Sequence, residues 1–168
     1  MRFKYLAIAL VFYCLLLPSI AGDMPVPPEL QVAIFKKVFN YDRTIPGGVP
    51  NLLVVFTDTS AAVKDQVVKV FKNSGIAVRA AKADQLSDSV GGVNVLYVLS
   101  GVSGAKHICQ KNGILSITGS PSLVESGEAS IGLSVQNNRP KIVVHMGQLR
   151  AEGHDLSANL LQLAKIVQ

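Results

Sequence analysis

Short, unbroken apolar runs recur along most of this chain, separated by stretches whose apolar residues follow a helical period. NLLVVFT (51–57) is continuous enough to fill a strand buried on both faces. IAVRAA (76–81), VNVLYVLS (93–100) and ILSIT (114–118) read as further strands. Ahead of the first, ELQVAIFKKVFNYD places Leu30, Ile34, Val38 and Tyr41 on one helical stripe, with Phe35 and Phe39 beside it. After the first, a helix over residues 61–73 lines up Val63, Val67, Val70 and Phe71, with Gly75 as its stop. ADQLSDSV predicts a short helix, residues 103–110 another, and Pro121 opens a helical turn.

The last third changes its period. ASIGLSVQ (129–136) alternates Ile131, Leu133 and Val135 with small or polar residues, Asn137-Asn138 supplies turn residues, and PKIVVHM (140–146) returns as a strand. EGHDLSANLLQLAKIV (152–167) then predicts an amphipathic closing helix that offers Leu156, Leu160, Leu161, Leu163, Ala164 and Val167 to the core. Alternating strands and helices imply right-handed crossovers. The expected fold is therefore α/β: a mostly parallel sheet with helices on both faces and a C-terminal antiparallel hairpin.

The first 21 residues do not belong to that pattern. Arg2 and Lys4 precede an apolar run from Tyr5 to Leu17, then Pro18 and Ser19-Ile20-Ala21. This is the layout of a secretory signal cleaved after Ala21. The run falls short of the roughly 20 apolar residues of a membrane span and is broken by Pro18, so a retained anchor is the weaker reading, and Cys14 lies inside the run as apolar filling. Residues 22–168 form the expected single domain of an exported protein. Without Arg2 and Lys4, the 16 basic residues of the 168-residue chain fall to 14 against 11 acidic, a net charge of +3. The bases are scattered, so charge argues for a solvated surface and against a nucleic-acid partner. One cysteine, Cys109, is left, which excludes an internal disulfide and predicts a buried small hydrophobe.

Candidate chemistry is sparse. His154, Asp155 and Ser157 are triad residue types, but a triad needs side chains converging from separate segments, and no G-x-S-x-G elbow occurs. Asp155 or Ser157 is better read as a helix cap, with Gly153 in the turn before it. His107, His145 and His154 lack metal-ligand spacing, and neither G-x-G-x-x-G nor G-x-x-x-x-G-K-[ST] is present, so no metal and no cofactor is expected. Three loops follow successive strands: Thr57-Asp58-Thr59-Ser60, Ser100-Gly101-Val102-Ser103-Gly104 and Thr118-Gly119-Ser120-Pro121-Ser122. At the carboxyl edge of a parallel sheet, Thr59, Ser60, Gly101, Ser103, Gly104, Gly119 and Ser120 are the candidate residues for a small polar or anionic ligand. The same residue types also suit any strand-to-helix turn, and Thr59 and Ser60 are candidate caps.

ILSITGSPSLVESGEASIGLSVQNNRPKIVVHMGQLRAEGHDLSANLLQLAKIV resembles the C-terminal pattern of the YfiR-like periplasmic proteins. ELQVAIFKKVFNYDRTIP is similar to their opening helix and VNVLYVLS to their central strand, so the resemblance spans roughly residues 28–167. Thr44-Ile45-Pro46 stands where the family often has Glu-Trp-Pro. The cysteines used by disulfide-bonded relatives are missing, which leaves redox control without a basis here. The resemblance implies a non-enzymatic periplasmic regulator. Its best-understood relatives hold the periplasmic part of an inner-membrane diguanylate cyclase inactive, linking envelope conditions to cyclic-di-GMP, biofilm and exopolysaccharide output, and they tend to dimerise.

Three readings follow. The first is a regulator that acts by contact with a cyclase or sensor kinase, through the first helix around Phe35 and Phe39 or through the closing helix. The second is a small periplasmic solute-binding module with a pocket bordered by Ser60, Ser103 and Ser120. The third is an enzyme, which needs Cys109 or the histidines to converge in an open cleft.

Overall fold

The structure, a computed structural model, describes residues 26–168. The expected signal segment lies outside them. The backbone forms one seven-stranded sheet: β1 (Asn51–Phe56), β2 (Ala77–Lys82), β3 (Val95–Val98), β4 (Leu115–Thr118), β5 (Ile131–Gln136), β6 (Arg139–His145) and β7 (Lys165–Val167), in spatial order β2-β1-β3-β4-β5-β6-β7. Every neighbouring pair is parallel except β5 and β6. That pair is the expected hairpin. Its turn is Asn137-Asn138, at φ 50° and 58°, the left-handed pair that a two-residue turn matched to strand twist requires.

Strand parity divides the core. Leu52 and Val54 of β1, Val95 and Tyr97 of β3, and Leu115 and Ile117 of β4 face the layer holding α1 (Pro28–Tyr41) and α2 (Ala61–Asn73). Leu53, Val55, Leu96 and Val98 point to the opposite layer, against α3 (Leu86–Ser89) and α4 (Ala105–Asn112). Both faces are thus covered, which is why these strands read as continuous apolar runs. Next to β5, α5 (Pro121–Glu125) packs Val124 into a small cluster with Ala129 and Val143.

In α1 the buried positions are Gln31, Val32, Phe35, Val38 and Phe39. The expected stripe was therefore centred about one position off: Leu30 and Tyr41 are 40 % and 44 % exposed. What sets the phase is Tyr97, whose ring receives Phe35 edge-on at 6.2 Å from α1 and Phe71 at 5.8 Å from α2. Phe35 and Phe39 are fully buried, each worth about 1.5–3 kcal/mol in apolar burial. In α2, Val67 and Phe71 are buried, Val70 partly, while Val63 is half exposed at the helix's first turn.

The closing helix departs from expectation. Residues 146–167 form α6 (Met146–Ala151), a loop, α7 (Ala158–Leu163) and the strand β7. Ser157 caps α7, its hydroxyl accepting from the Leu160 N–H at 3.4 Å, whereas Asp155 points to solvent. Leu156 and Leu160 reach the core, but Leu163 is exposed and Val167 lies in a strand. The reason is tertiary: Val143, Val144 and His145 of β6 offer an open edge, and residues 165–167 satisfy it. A parallel return needs a crossover, which α6 and α7 provide.

Candidate functional site

At the carboxyl edge, the order β2-β1-β3 places the reversal of strand order between β1 and β3. Two of the candidate loops do meet there. A Cβ on Gly101 would lie 3.3 Å from Thr57 Oγ1 and 3.8 Å from Thr59 Oγ1. The hydroxyls at this crevice are engaged with one another: Thr57 Oγ1 lies 2.8 Å from Thr59 Oγ1 and 3.2 Å from Ser60 Oγ. Ser60 also takes the Thr57 N–H at 3.0 Å and donates to the Thr57 carbonyl at 3.2 Å. The crevice is closed on itself, so Thr59 serves the turn and is not a helix cap. Ser103 is exposed, and Gly104, at φ 78°, makes the entry into α4; neither borders a cavity with Ser60.

The third loop is different. Gly119 and Ser120 border a cleft of about 500 Å³ at the ends of β3 and β4, between the N-terminal side of α1 and β5. Of the serines expected to border a pocket, only Ser120 does so; Ser100 and Ser122 take the places assigned to Ser60 and Ser103. The floor is organised around Tyr97. Its hydroxyl donates to Gln31 Oε1 at 2.6 Å, while Gln31 Nε2 donates to the Val26 carbonyl at 2.7 Å. Burial pushes the Tyr97 phenol far above its ordinary range, so it stays a neutral donor. Thr118 Oγ1 donates to the Val98 carbonyl at 2.8 Å and accepts the Ser120 N–H at 3.1 Å. Gly119 has to be glycine: a Cβ there would sit 2.6 Å from the Tyr97 hydroxyl oxygen and 2.8 Å from Gln31 Oε1. No charged side chain is among the described residues lining this cleft.

Two buried polar clusters occupy the opposite, amino edge. His154 Nδ1 lies 2.7 Å from Asp42 Oδ2 and 2.6 Å from Thr44 Oγ1, and its Nε2 approaches the Gly113 carbonyl at 3.3 Å. Thr44 also donates to Asp42 Oδ1 through its hydroxyl at 2.6 Å and its N–H at 2.8 Å. Burial pushes the Asp42 carboxyl up, but hydrogen bonds from His154 and Thr44 outweigh it and hold the group below its ordinary value. The same two segments join through the Arg43 N–H to the Asp155 carbonyl and the Ser157 N–H to the Tyr41 carbonyl, both at 3.0 Å. This is a clasp between the end of α1 and the loop before α7, in which Asp42 and the Thr44 hydroxyl share one ring nitrogen of His154.

Glu152, 1 % exposed, gathers four donors: the Ser116 N–H at 3.0 Å and the Ser130 hydroxyl on Oε2, the Ser116 hydroxyl at 2.5 Å and Gln148 Nε2 at 2.8 Å on Oε1. Burial raises its carboxyl, and the donated bonds only partly oppose that. Nearby Cys109 is fully buried, and desolvation together with Glu152 pushes its thiol up, the wrong direction for a nucleophile. The histidines do not converge either: His107 is exposed and His145 caps α6 by accepting the Gln148 N–H at 3.1 Å. Among the described residues no three His, Cys, Asp or Glu side chains gather to hold a metal.

Gln31, Tyr97, Asp42 and Glu152 were not among the sequence candidates. Only Gln31 left a trace, as a polar residue four positions before Phe35 on an apolar helix.

Fold and site together define a doubly wound α/β domain, with an uncharged cleft at the carboxyl edge and structural polar clusters at the other. Residues 29–165 match the YfiR/HmsC-like family, and the chain belongs to it. That membership supports a periplasmic regulatory protein as the general class. No curated protein matches the sequence. Solved structures share the fold at low identity. A conserved domain protein from Vibrio cholerae O1 biovar El Tor aligns with TM-score 0.64 at 14 % identity, covering 87 % of this chain and 61 % of that one. The ABC domain in complex with L-Trp from Streptococcus pneumonia gives 0.60 at 13 %, covering 84 % and 60 %. The ligand-free, open form of CD0873, a substrate-binding protein with adhesive properties from Clostridium difficile, gives 0.63 at 16 %, covering 87 % and 61 %. The chain thus spans about three fifths of the length of these structures.

Proposed function

We propose that this chain is exported, cleaved after Ala21, and acts over residues 22–168 as a non-enzymatic periplasmic regulator. It works by contact with the periplasmic part of an inner-membrane diguanylate cyclase or sensor kinase. The observation that carries this reading is the family match over residues 29–165. The dispersal of Cys109 and the histidines over separate structural roles is in keeping with it. The contact cannot run through Phe35 and Phe39, which are wholly buried. The exposed apolar residues of the two helices first considered are Leu30 and Tyr41 on α1 and Leu163 on α7. Capture of the membrane fraction on the mature chain, with the bound proteins identified, tests the proposal. Recovery of a cyclase or sensor kinase, lost in Leu30→Glu and Tyr41→Glu, is the expected outcome; recovery of neither class of protein refutes it.

A second reading is a small solute-binding module, and the 500 Å³ cleft at the carboxyl edge favours it. Two of the fold relatives are named as an L-Trp complex and as a substrate-binding protein. The two readings are compatible in one molecule, a regulator whose contact responds to a bound solute.

A further inference from the structure

We infer that the cleft at the ends of β3 and β4 takes a small uncharged molecule with an apolar body and a hydroxyl or carbonyl end. The inference rests on the solute-binding reading and adds the chemical class of the solute.

Charge is the first consideration. The cleft is lined by the apolar side chains of Val26, Val63, Leu99, Leu133 and Val135, and no described lining residue is ionisable except Tyr97, which stays neutral. A carboxylate or ammonium moved into such a site would lose its hydration and find no counter-charge. The start of α5 does not make up for this. Pro121 has no N–H, and the Ser120 N–H is already given to Thr118 Oγ1 at 3.1 Å.

The polar groups then set the shape of the ligand. On the floor, Tyr97, Gln31 and Thr118 are engaged with one another or with backbone, so they present satisfied groups rather than open valences. Hydroxyl capacity lies at Ser100 and Ser134 on the lining and at Ser120 Oγ and Ser122 Oγ, which stand 2.9 Å apart, either able to donate. A hydroxyl pair of this kind can give one hydrogen to a ligand oxygen and accept one from a ligand hydroxyl. One polar end toward Ser120 and Ser122 places the rest of the molecule against Leu133, Val135 and Val63. The volume of about 500 Å³ sits in the lower part of the range for small-molecule sites, room for one or two rings.

The test uses the full mature chain, with benzyl alcohol, benzoate and benzylammonium as probes that share a phenyl body and differ in the charge and hydrogen-bonding of the polar end. Amide shifts of Gly119, Ser120, Ser122 and Leu133 are followed by two-dimensional NMR during titration. Benzyl alcohol is expected to move these amides saturably, with the two ions at least about tenfold weaker, the factor set by burying an unpaired charge. Val63→Trp, which fills the mouth from a half-exposed rim position, is expected to abolish the response; Val49→Trp, 71 % exposed and outside the cleft, should leave it intact. Equal or tighter binding of either ion at these amides overturns the chemical class and leaves the solute reading standing. No saturable shift from any of the three overturns both.

Discussion

His154 and Asp42, 112 positions apart in the chain, meet at 2.7 Å with both side chains almost wholly buried. One residue away on each side, Arg43 and Asp155 form an ion pair at 3.0 Å with side chains 67 % and 62 % exposed. Two contacts of similar length, joining the same two segments, thus differ almost entirely in their access to water.

Stability should divide accordingly. His154→Ala leaves a buried carboxylate with only Thr44 for company and is expected to cost about 3 kcal/mol. Arg43→Ala breaks a solvated pair and should cost less than about 1 kcal/mol. Urea unfolding of the two variants and of Asp42→Asn/His154→Ala checks this. A His154→Ala loss no larger than that of Arg43→Ala would show that the clasp adds nothing.

The two buried carboxylates predict opposite pH limbs. Asp42 is held below its ordinary value of 3.8, so the stability it contributes is present above that value and is lost as pH falls through the lower folded value. Glu152 is raised above 4.5, so its contribution is present below that value and is lost as pH rises through the folded value. Unfolding free energy measured across the acid range should therefore lose its acid decline in Asp42→Asn. In Glu152→Gln it should lose the decline on the rising side. The latter variant also places an amide NH2 among four donors, an offset of about 1–3 kcal/mol at every pH.

Gly119 and Tyr97 should behave as a coupled pair. Gly119→Ala drives a methyl to 2.6 Å from the phenol oxygen and should destabilise by about 1–3 kcal/mol. Tyr97→Phe removes that oxygen but leaves Gln31 Oε1 without its donor, a cost of about 1–3 kcal/mol. Because each change relieves part of the other's penalty, the double variant should lose clearly less than the two losses together. Additive losses in thermal or urea unfolding would place the clash elsewhere.

The contrast between what could and could not be read from sequence follows the range of the forces. β1, β3 and β4 were legible because a strand covered on both faces has to be apolar throughout. The Asn137-Asn138 turn was legible because its backbone demand is local. The phase of α1 was not, since its many apolar residues support more than one stripe and the choice was made by Tyr97, 66 positions beyond Gln31. The end of the chain misled for the same reason. LLQLAKIV fits a helical period, but the open edge of β6 decided that residues 165–167 become strand. Of the candidate ligand residues, Gly119 and Ser120 fell on the cleft, whereas Thr59, Ser60 and Gly101 form a closed turn contact. Composition alone does not separate these outcomes, because a turn and a binding loop call for the same small polar residues.

The packing of Tyr97 has a practical side. The chain has no tryptophan and four tyrosines, and of these only Tyr41 and Tyr97 lie beyond the expected cleavage point. Tyr41 is open to water, whereas Tyr97 is clamped edge-on between Phe35 and Phe71 with its hydroxyl tied to the floor of the cleft. The near-ultraviolet circular dichroism of the mature protein should therefore be dominated by one tyrosine. The molecule carries its own optical gauge at the place where a solute would arrive, and occupancy can be followed without attaching a dye.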